Sequence, residues 1–249
     1  MAERGYFDDE ILGAEDLDQI KTPRMLDESI TDTPSHILHT AQFIRKGDNK
    51  KIMLLGEGHR EGEETDPAIV KEAHELYEFL KYIIEESPKS KVFFENSPFK
   101  FTTSSPTMKI VYEQLKKEFG DLRVGNIDMR AIYAQDRYTP EEVEFFVKKD
   151  TFEKHPAFLK SAVEDLQRYI NKEDVISKDG TVAPWEDLLL SPMIEKDMLE
   201  QIDKPTERSS QDEIYMTGAH HSKNIDNVLN QERNYQRYGG TEIDIFSPP

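Results

Sequence analysis

Short apolar runs alternate with helical patterns in the first half of the chain. The runs Lys51–Leu55, Lys91–Glu95 and Arg123–Asp128 have the length and apolar character of buried strands. Between them, apolar residues recur at the 3.6-residue period of a helix that buries one face. Asp66 and Ser105, each followed by proline, are suited to begin these two helices, because their side chains accept hydrogen bonds from the first N–H groups.

This alternation predicts an α/β fold with a mostly parallel open sheet and helices on both faces. Strand character returns at Glu213–Thr217, followed by a helix over about Ser222–Arg237 and a final strand over Thr241–Phe246. Residues 130 to about 205 have the pattern of helices that begin at prolines, which we interpret as a helical insertion. We therefore predict a single domain over residues 36–249.

The N-terminal 35 residues differ from the rest of the chain in composition. They hold ten acidic and three basic residues and show no sustained periodicity. We interpret residues 1–35 as an acidic arm, either a solvated extension or a segment that binds a protein partner. The pattern of Ser35–Arg45 is ambiguous, because Ile37, Ala41 and Ile44 fit one face of a helix.

Composition narrows the class of protein. The 249 residues carry a formal charge of −18, which disfavours broad contacts with nucleic acid or an anionic membrane. No apolar run approaches the ~18 residues of a membrane helix, and the N-terminus lacks the apolar centre of a secretory signal. Without cysteine there is no disulfide, zinc–thiolate site or thiol nucleophile. We expect a cytoplasmic protein that binds neither nucleic acid nor membrane.

Chemically active side chains follow each predicted parallel strand. In a parallel sheet the carboxyl ends share one edge, where open α/β sheets build their sites. Three of the seven histidines stand at such ends, next to glycines that let the backbone turn sharply and a ligand approach closely. The candidate site residues are Glu57, His59, Glu95, Asp128, Arg130 and His221.

Each of these candidates also has a structural interpretation. Glu57 and Asp128 are suited to capping a turn or a helix. Glu95 is suited to an ion pair with Arg130, which is a common brace at the end of a strand. His59 is also compatible with a core histidine that is bonded to a carbonyl group.

The adjacent histidines at 220 and 221 receive different interpretations. We place His221 in the pocket, because it repeats the Gly-x-x-His spacing of His59, and give His220 a structural role. The remaining histidines are expected to lie outside the site, on predicted helices or their flanks: His36, His39, His74 and His155.

Four motifs in this order resemble the superfamily of the erythromycin esterases, the haem-binding protein ChaN and the TraB/Tiki proteins. They are Leu-Leu-Gly-Glu-Gly-His ending at His59, Phe-Phe-Glu-Asn around Glu95, Asn-Ile-Asp-Met-Arg ending at Arg130, and Thr-Gly-Ala-His-His ending at His221. The first motif is similar to the ChaN and esterase form, and the paired Gly-x-x-His motifs are similar to the TraB/Tiki form. The chain differs from the esterases in having one residue fewer before the histidine. It differs from the Tiki proteins in lacking an anchor or signal.

The resemblance implies an α/β sheet with helical insertions and a site at the strand ends. The esterase side implies a histidine that activates water against an ester, with support from acidic residues and a second histidine. The Tiki side implies histidines and a glutamate that hold a divalent metal for peptide hydrolysis. We therefore expect a hydrolase that acts on an ester or amide bond of a small molecule or a peptide.

Two mechanisms are open for such a hydrolase. Without a metal, His59 takes a proton from water, Glu57 or Glu95 orients its ring, and His221 or Arg130 stabilises the oxyanion. With a metal, His59, Glu95 and His221 hold Mn²⁺, Co²⁺ or Zn²⁺, and Glu57 is the general base.

Two other classes of protein also fit the pattern. A ChaN-like protein that binds haem or another small ligand would use His59 or His221 as the axial ligand, and adding haem would produce a Soret band. An adaptor would act through its acidic arm, so deleting residues 1–34 would abolish its function while changes at His59 would not.

Overall fold

The computed structural model describes most of the sheet and the helices packed on it. The described residues are 33–58, 62–95, 105–127, 154–176, 182–183, 190–204 and 212–241. The elements in chain order are β1 Ile37–Arg45, β2 Lys51–Glu57, α1 Pro67–Glu86, β3 Lys91–Phe94, α2 Pro106–Phe119, β4 Val124–Asn126, α3 Pro156–Asn171, β5 Val175–Ile176, β6 Val182–Ala183, α4 Leu190–Asp203, β7 Glu213–Gly218, α5 Ala219–Gln231 and β8 Tyr235–Gly239.

Six of the described strands form one sheet in the order β4-β3-β7-β2-β1-β8. The ladders β3–β4, β3–β7 and β2–β7 are parallel, whereas β1 pairs antiparallel with β2 and with β8. The prediction of a mostly parallel sheet is therefore confirmed, as are the four strands predicted at 51–55, 91–95, 123–128 and 213–217. The two short strands β5 and β6 form a separate antiparallel pair.

Helices cover both faces of the sheet, as the alternation of strands and helices predicts. Ile52 and Leu54 of β2 pack into the same buried cluster as residues of α3, α4 and α5. Met53 and Leu55 point to the opposite face and pack with residues of α1 and α2. Because successive strand residues alternate between faces, a continuous apolar run such as β2 is needed to bury both sides.

The first two helices begin as their sequences predict. The Asp66 side chain accepts a hydrogen bond from the Ala68 N–H at 2.8 Å, and proline occupies the first turn of α1. Ser105 caps α2 in the same way, with its Oγ 3.4 Å from the Met108 nitrogen. Gly120 follows α2 with a positive φ of 74°, a conformation that glycine adopts without a steric penalty.

Two segments differ from their predicted structure. Ser35–Arg45, whose apolar spacing fits a helical face, contains strand β1, in which most residues are buried on both faces. Burial on both faces removes the alternation that would have indicated a strand. The helix predicted over Ser222–Arg237 begins at Ala219 and ends at Gln231, and the edge strand β8 follows it.

Several predictions fall wholly or partly outside the described residues. Residues 1–32 of the acidic arm lie outside them, as does nearly all of the strand predicted over Thr241–Phe246. The described part of the insertion at 130–205 contains α3, α4 and the pair β5–β6. The helical insertion and the single-domain boundary therefore stay predictions. None of the described helices is long and apolar enough to cross a membrane.

A buried histidine joins three helices at the amino end of the parallel strands. His155, at the start of α3, places Nε2 at 2.9 Å from Asp203 Oδ2 and Nδ1 at 2.5 Å from Glu232 Oε1. Asp203 ends α4, and Glu232 directly follows α5. A neutral imidazole has a single N–H, so hydrogen bonds from both ring nitrogens to carboxylates require the imidazolium form. Burial lowers the pKa of His155, but the hydrogen bonds to Asp203 and Glu232 outweigh burial and raise the pKa to about 9.

The first prediction is that His155 makes the stability of the fold depend on pH in the alkaline range. The pKa of His155 rises from 6.5 to about 9 on folding. The protonated ring therefore stabilises the fold fully below pH 6.5, and this stabilisation is lost as pH rises through about 9. The loss is about 3 kcal/mol. Urea unfolding of the wild type and of His155→Gln at several pH values measures it. Equal pH dependence in the two proteins would contradict the imidazolium assignment.

The second prediction concerns the close approach of α5 to the sheet at Gly56. A Cβ at this position would lie 2.7 Å from the Ala219 Cα and 2.9 Å from the Ser222 Cβ. Gly56→Ala is therefore expected to lower the free energy of unfolding by about 1–3 kcal/mol through overpacking. Gly47→Ala is the matched control, because a Cβ at Gly47 meets nothing within 4 Å. Equal stability of the two variants would show that α5 does not need this contact.

Candidate functional site

The carboxyl ends of β2, β7 and β3 lie side by side at one edge of the sheet. Glu57 at the end of β2 is in register with Gly218 at the end of β7. On the other side of β7, the Glu95 N–H donates to the Met216 carbonyl at 2.8 Å. Strand β7 therefore brings residues that are far apart in sequence to the same edge, as expected for a parallel sheet.

Glu95 and His221 face each other at this edge. Oε1 of Glu95 lies 3.6 Å from Nε2 of His221, and Oε2 of Glu95 accepts a hydrogen bond from the Gly218 N–H at 3.0 Å. Gly218 precedes α5, and His221 lies in the first turn of that helix. The Glu95 carboxylate is thus held at a helix N-terminus, where the backbone N–H groups favour negative charge. The Glu95 residue is 1% exposed, so its carboxylate is almost fully removed from bulk water.

A second carboxylate, from Glu195 of α4, lies on the other side of the His221 ring. Its Oε1 lies 3.1 Å from Nδ1 of His221 and also accepts a hydrogen bond from Nδ2 of Asn224 at 2.7 Å. Glu195 is buried and His221 is largely buried. His221 is therefore flanked by a carboxylate at each ring nitrogen, contributed by two different elements.

Glu57 lies at the same edge but on the opposite face of the sheet. It continues the alternation of Met53 and Leu55 toward α1 and α2, and Ser105 Oγ donates to its Oε1 at 2.8 Å. Burial raises the pKa of Glu57 to about 7, although the hydroxyls of Ser105 and Thr107 offset part of the effect. Oε2 has no hydrogen-bond partner of normal geometry among the described residues. Glu57 is therefore a carboxyl group that exchanges a proton near neutral pH.

Three of the six predicted site residues are thus placed at one edge. Glu95 and His221 are in mutual reach, while Glu57 lies on the other side of the end of β7. His59, Asp128 and Arg130 lie outside the described residues, so their roles stay predictions. Gly56 and Gly58 flank Glu57, and the Gly58 N–H donates to the carbonyl of His36.

His220 differs from its neighbour His221 in its surroundings. It is exposed, and its Nε2 lies 3.1 Å from Nδ2 of Asn224. Of the two adjacent histidines, His221 is therefore the one that faces the Glu95 carboxylate.

The residues that sequence reasoning missed are Glu195, Asn224 and Ser105. The sequence does carry a signal for the burial of Glu195. It precedes Leu199 by four residues and Ile202 by seven, so it lies on the same helical face as these two buried residues. A carboxylate on the apolar face of a helix needs a polar partner inside the protein. The identity of that partner follows only from the tertiary packing of α4 against α5.

A second histidine network lies next to the site but is closed to substrates. His39 of β1 places Nδ1 at 2.7 Å from Ser222 Oγ and Nε2 at 3.0 Å from Asp226 Oδ2. The residue types match a hydrolytic triad, but Ser222 is packed between α5 and β2, where a Cβ at Gly56 would lie 2.9 Å from the Ser222 Cβ, so no substrate reaches its hydroxyl. We interpret this network as a polar contact that fixes the first two turns of α5, which carry His221.

The described donors fit a divalent metal ion as two of its ligands. Carboxylate oxygen and imidazole nitrogen suit Mn²⁺, Co²⁺ and Zn²⁺. The 3.6 Å between Glu95 Oε1 and His221 Nε2 is close to the ~3.4 Å between two ligands of a tetrahedral ion with ~2.1 Å bonds. Within the described ranges, no group of three or more such side chains is arranged to hold a metal. The predicted third ligand, His59, lies outside these ranges.

Haem fits the described donors poorly. An axial nitrogen needs open space for the macrocycle, whereas Nε2 of His221 faces the carboxylate of Glu95 at 3.6 Å. A cleft of about 420 Å³ lies instead at the opposite, amino-terminal edge. Charged groups line this cleft, and they form ion pairs: Arg45 pairs with Asp48, and His155 pairs with Asp203 and Glu232.

The third prediction is that Glu57 destabilises the folded protein at neutral and alkaline pH. Its pKa rises from 4.5 to about 7 on folding. The folded protein is therefore not penalised below pH 4.5, where the carboxyl group is protonated in both states, and it loses stability as pH rises from there through about 7. Glu57→Gln should therefore be more stable than the wild type at about pH 8 by roughly 3 kcal/mol, and similar to it at about pH 4. Thermal and urea unfolding measure the difference. Glu63→Gln, which removes an exposed carboxylate, is the control, and equal behaviour of both variants would contradict the burial argument.

Comparisons of the chain with protein-family models, curated proteins and solved structures give no match. The motif resemblance to the esterase, ChaN and TraB/Tiki superfamily therefore stays a prediction.

Proposed function

We propose that the protein is a hydrolase that cleaves an ester or amide bond of a small molecule or a peptide. The main support is the position of Glu95 and His221 at the carboxyl ends of the parallel strands, where Oε1 of Glu95 lies 3.6 Å from Nε2 of His221. A base and a carboxylate held at this separation can both contact one water molecule. The edge is also the place where open α/β sheets bind their ligands.

His221 is the general base in this proposal. Its Nε2 takes a proton from water while the water oxygen attacks the carbonyl carbon of the substrate. Glu95 accepts a hydrogen bond from the second hydrogen of the water and so directs the oxygen toward the carbonyl carbon. The resulting imidazolium is stabilised by Glu95 and Glu195, which flank its two nitrogens. When the tetrahedral intermediate collapses, the leaving alcohol or amine receives a proton.

The imidazolium of His221 can return the proton that it took from water to the leaving group. Acting through an intervening water molecule, a second candidate donor is Glu57, which lies on the opposite face of the sheet from α5. Its pKa of about 7 leaves part of the carboxyl groups protonated at neutral pH, as general acid catalysis requires. His59 follows Glu57 by two residues and stays a candidate for the base or for contact with the substrate. Arg130 and Asp128 follow β4, two positions along the sheet from β7, and stay candidates for oxyanion stabilisation.

A metal ion is compatible with the same residues. Glu95 and His221 would be two of its ligands, and His59 the third. A bound divalent ion supplies a water molecule whose pKa is lowered toward ~7. Glu57 would then be the general base in place of His221.

The wider setting of the reaction is also part of this proposal. We place the protein in the cytoplasm and among the esterase-, ChaN- and TraB/Tiki-like proteins, on the motifs around His59, Glu95, Arg130 and His221. The acidic arm of residues 1–35 is proposed to be a solvated extension or to bind a protein partner.

The fourth prediction is that hydrolysis depends on His221 and Glu95 beyond any effect of their replacement on folding. A panel of activated esters and amides, with and without added Mn²⁺, Co²⁺ or Zn²⁺, identifies a hydrolysed substrate. His221→Ala and Glu95→Gln should then lower kcat by about 10²- to 10⁴-fold. Glu95→Gln keeps an oxygen that accepts from the Gly218 N–H, so its melting temperature should stay near that of the wild type. His221→Ala removes the imidazole partner of the buried Glu195 and should also lower the free energy of unfolding by about 1–3 kcal/mol, so kcat is compared per folded molecule.

His220→Ala is the matched control, since it removes an exposed imidazole one residue away. Its kcat should stay within about threefold of the wild type. Equal losses at positions 220 and 221 would contradict the proposal, as would full activity of His221→Ala. If the wild type hydrolyses no member of the panel under any metal condition, the proposed function is wrong for these substrate classes.

A further inference from the structure

We propose that Glu195 is a positioning residue that holds His221 in the tautomer with the proton on Nδ1. Its Oε1 lies 3.1 Å from Nδ1 of His221, and the two residues are contributed by α4 and α5. The inference deepens the hydrolase proposal and rests on it for its catalytic meaning. The tautomer itself is a property of the folded chain and is measured without a substrate.

The hydrogen-bonding capacity of Glu195 determines the direction of this contact. An ionised carboxylate only accepts hydrogen bonds, so the proton between Oε1 and Nδ1 belongs to the imidazole. The amide of Asn224 donates to the same oxygen at 2.7 Å, which fills Oε1 with two donors. Nδ2 of Asn224 also lies 3.1 Å from Nε2 of His220, so both amide hydrogens have acceptors. The amide and the carboxylate therefore fix each other's orientation.

The Nδ1–H tautomer determines what the other ring nitrogen can do. In a neutral imidazole that carries its proton on Nδ1, Nε2 has the lone pair, and this is the nitrogen that faces Glu95. A general base and a metal ligand both need that lone pair at the edge of the sheet. Glu195 is thus required by either mechanism, through the state of His221 rather than through contact with the substrate.

Removing Glu195 has a specific alternative outcome for His221. Once Glu195 is removed, the carboxylate that remains beside the ring among the described residues is Glu95, 3.6 Å from Nε2. The ring then gains a hydrogen bond by moving its proton to Nε2 and donating it to Glu95. This state removes the lone pair from the site and occupies the Glu95 oxygen that faces it. Glu195 is therefore expected to decide between an active and an inactive tautomer.

A merely structural role for Glu195 predicts something different. As a brace between α4 and α5, it would lower stability when removed but would leave the Nε2 side of His221 unchanged. The expected signature of positioning is instead a change of tautomer together with a loss in kcat that exceeds the change in KM. Such losses are typically about 10- to 100-fold for residues that orient a catalytic or ligating histidine.

The test is long-range ¹H–¹⁵N NMR of the histidine rings in the full chain, recorded from about pH 6 to about pH 10 without added metal. In the wild type, the neutral form of His221 is expected to carry its proton on Nδ1. Glu195→Ala should move the proton to Nε2. Glu195→Gln should keep it on Nδ1, because the amide oxygen of Gln still accepts a hydrogen bond.

Glu200→Gln is the matched control, since it makes the same chemical change in α4 at a half-exposed carboxylate that pairs with Lys196. It should leave the His221 signals unchanged. A wild-type His221 that carries its neutral-form proton on Nε2 overturns the proposal directly, without the need for any variant to fold. So does a Glu195→Ala protein in which the proton stays on Nδ1.

Kinetics on the substrate found by the ester and amide panel form the second arm. Glu195→Ala should lower kcat by about 10- to 100-fold, and Glu195→Gln should recover part of the loss. A shifted tautomer together with unchanged kcat refutes the catalytic role of His221 but not the positioning of its ring. An unshifted tautomer together with lost kcat refutes the positioning and leaves the hydrolase proposal intact.

Discussion

The parallel pairing of β7 between β2 and β3 is the constraint on which the candidate site depends. This pairing places Gly218 in register with Glu57 on one side. On the other side, the Gly218 N–H donates a hydrogen bond to Glu95. Since α5 follows β7 without a loop, the same pairing carries His221 to the edge. The small residue Gly56 lets α5 lie close against the sheet, where a side chain would clash with it.

Three buried carboxylates at one edge of a sheet carry a large desolvation cost unless each has a specific partner. Glu95 accepts from a backbone N–H at a helix N-terminus, and Glu195 accepts from His221 and an amide. Glu57 differs, because burial raises its pKa to about 7 and it can take up a proton instead. Glu95 and Glu195 thus lie on either side of His221, and Glu57, on the far side of β7, can gain or lose a proton. Such an arrangement is suited to acid–base chemistry.

The parts of the fold that the sequence could predict are those with a one-dimensional signal. The strand at Lys51–Leu55 is continuously apolar, and the helix after Asp66 has a cap, a proline and a sustained period. Strand β1 was ambiguous because it is buried on both faces, and β8 lacks an apolar run because it is a polar edge strand. The insertion of β7 between β2 and β3 depends on contacts between distant segments, which periodicity does not encode.

The residues of the candidate site also differ in how far the sequence alone predicts them. Glu57, Glu95 and His221 follow strands and could be predicted from that position alone, whereas Glu195 lies inside a helix. Its burial could be inferred from its place on the apolar face of α4, but its partner could not. The packing of α4 against α5 decides that partner, and it involves residues such as Met198 and Val228 that carry no chemical signal.

In the proposed reaction, Glu95 and His221 act on one water molecule as a unit. A double-mutant cycle with Glu95→Gln, His221→Ala and the double variant, measured as kcat/KM on one hydrolysed substrate, tests it most directly. If the two side chains act as a unit, the double variant loses about as much activity as the more damaging single variant, because either change alone disables the unit. Losses that multiply in the double variant would instead mean that the two side chains act independently, and this result would rule out their action on one water molecule.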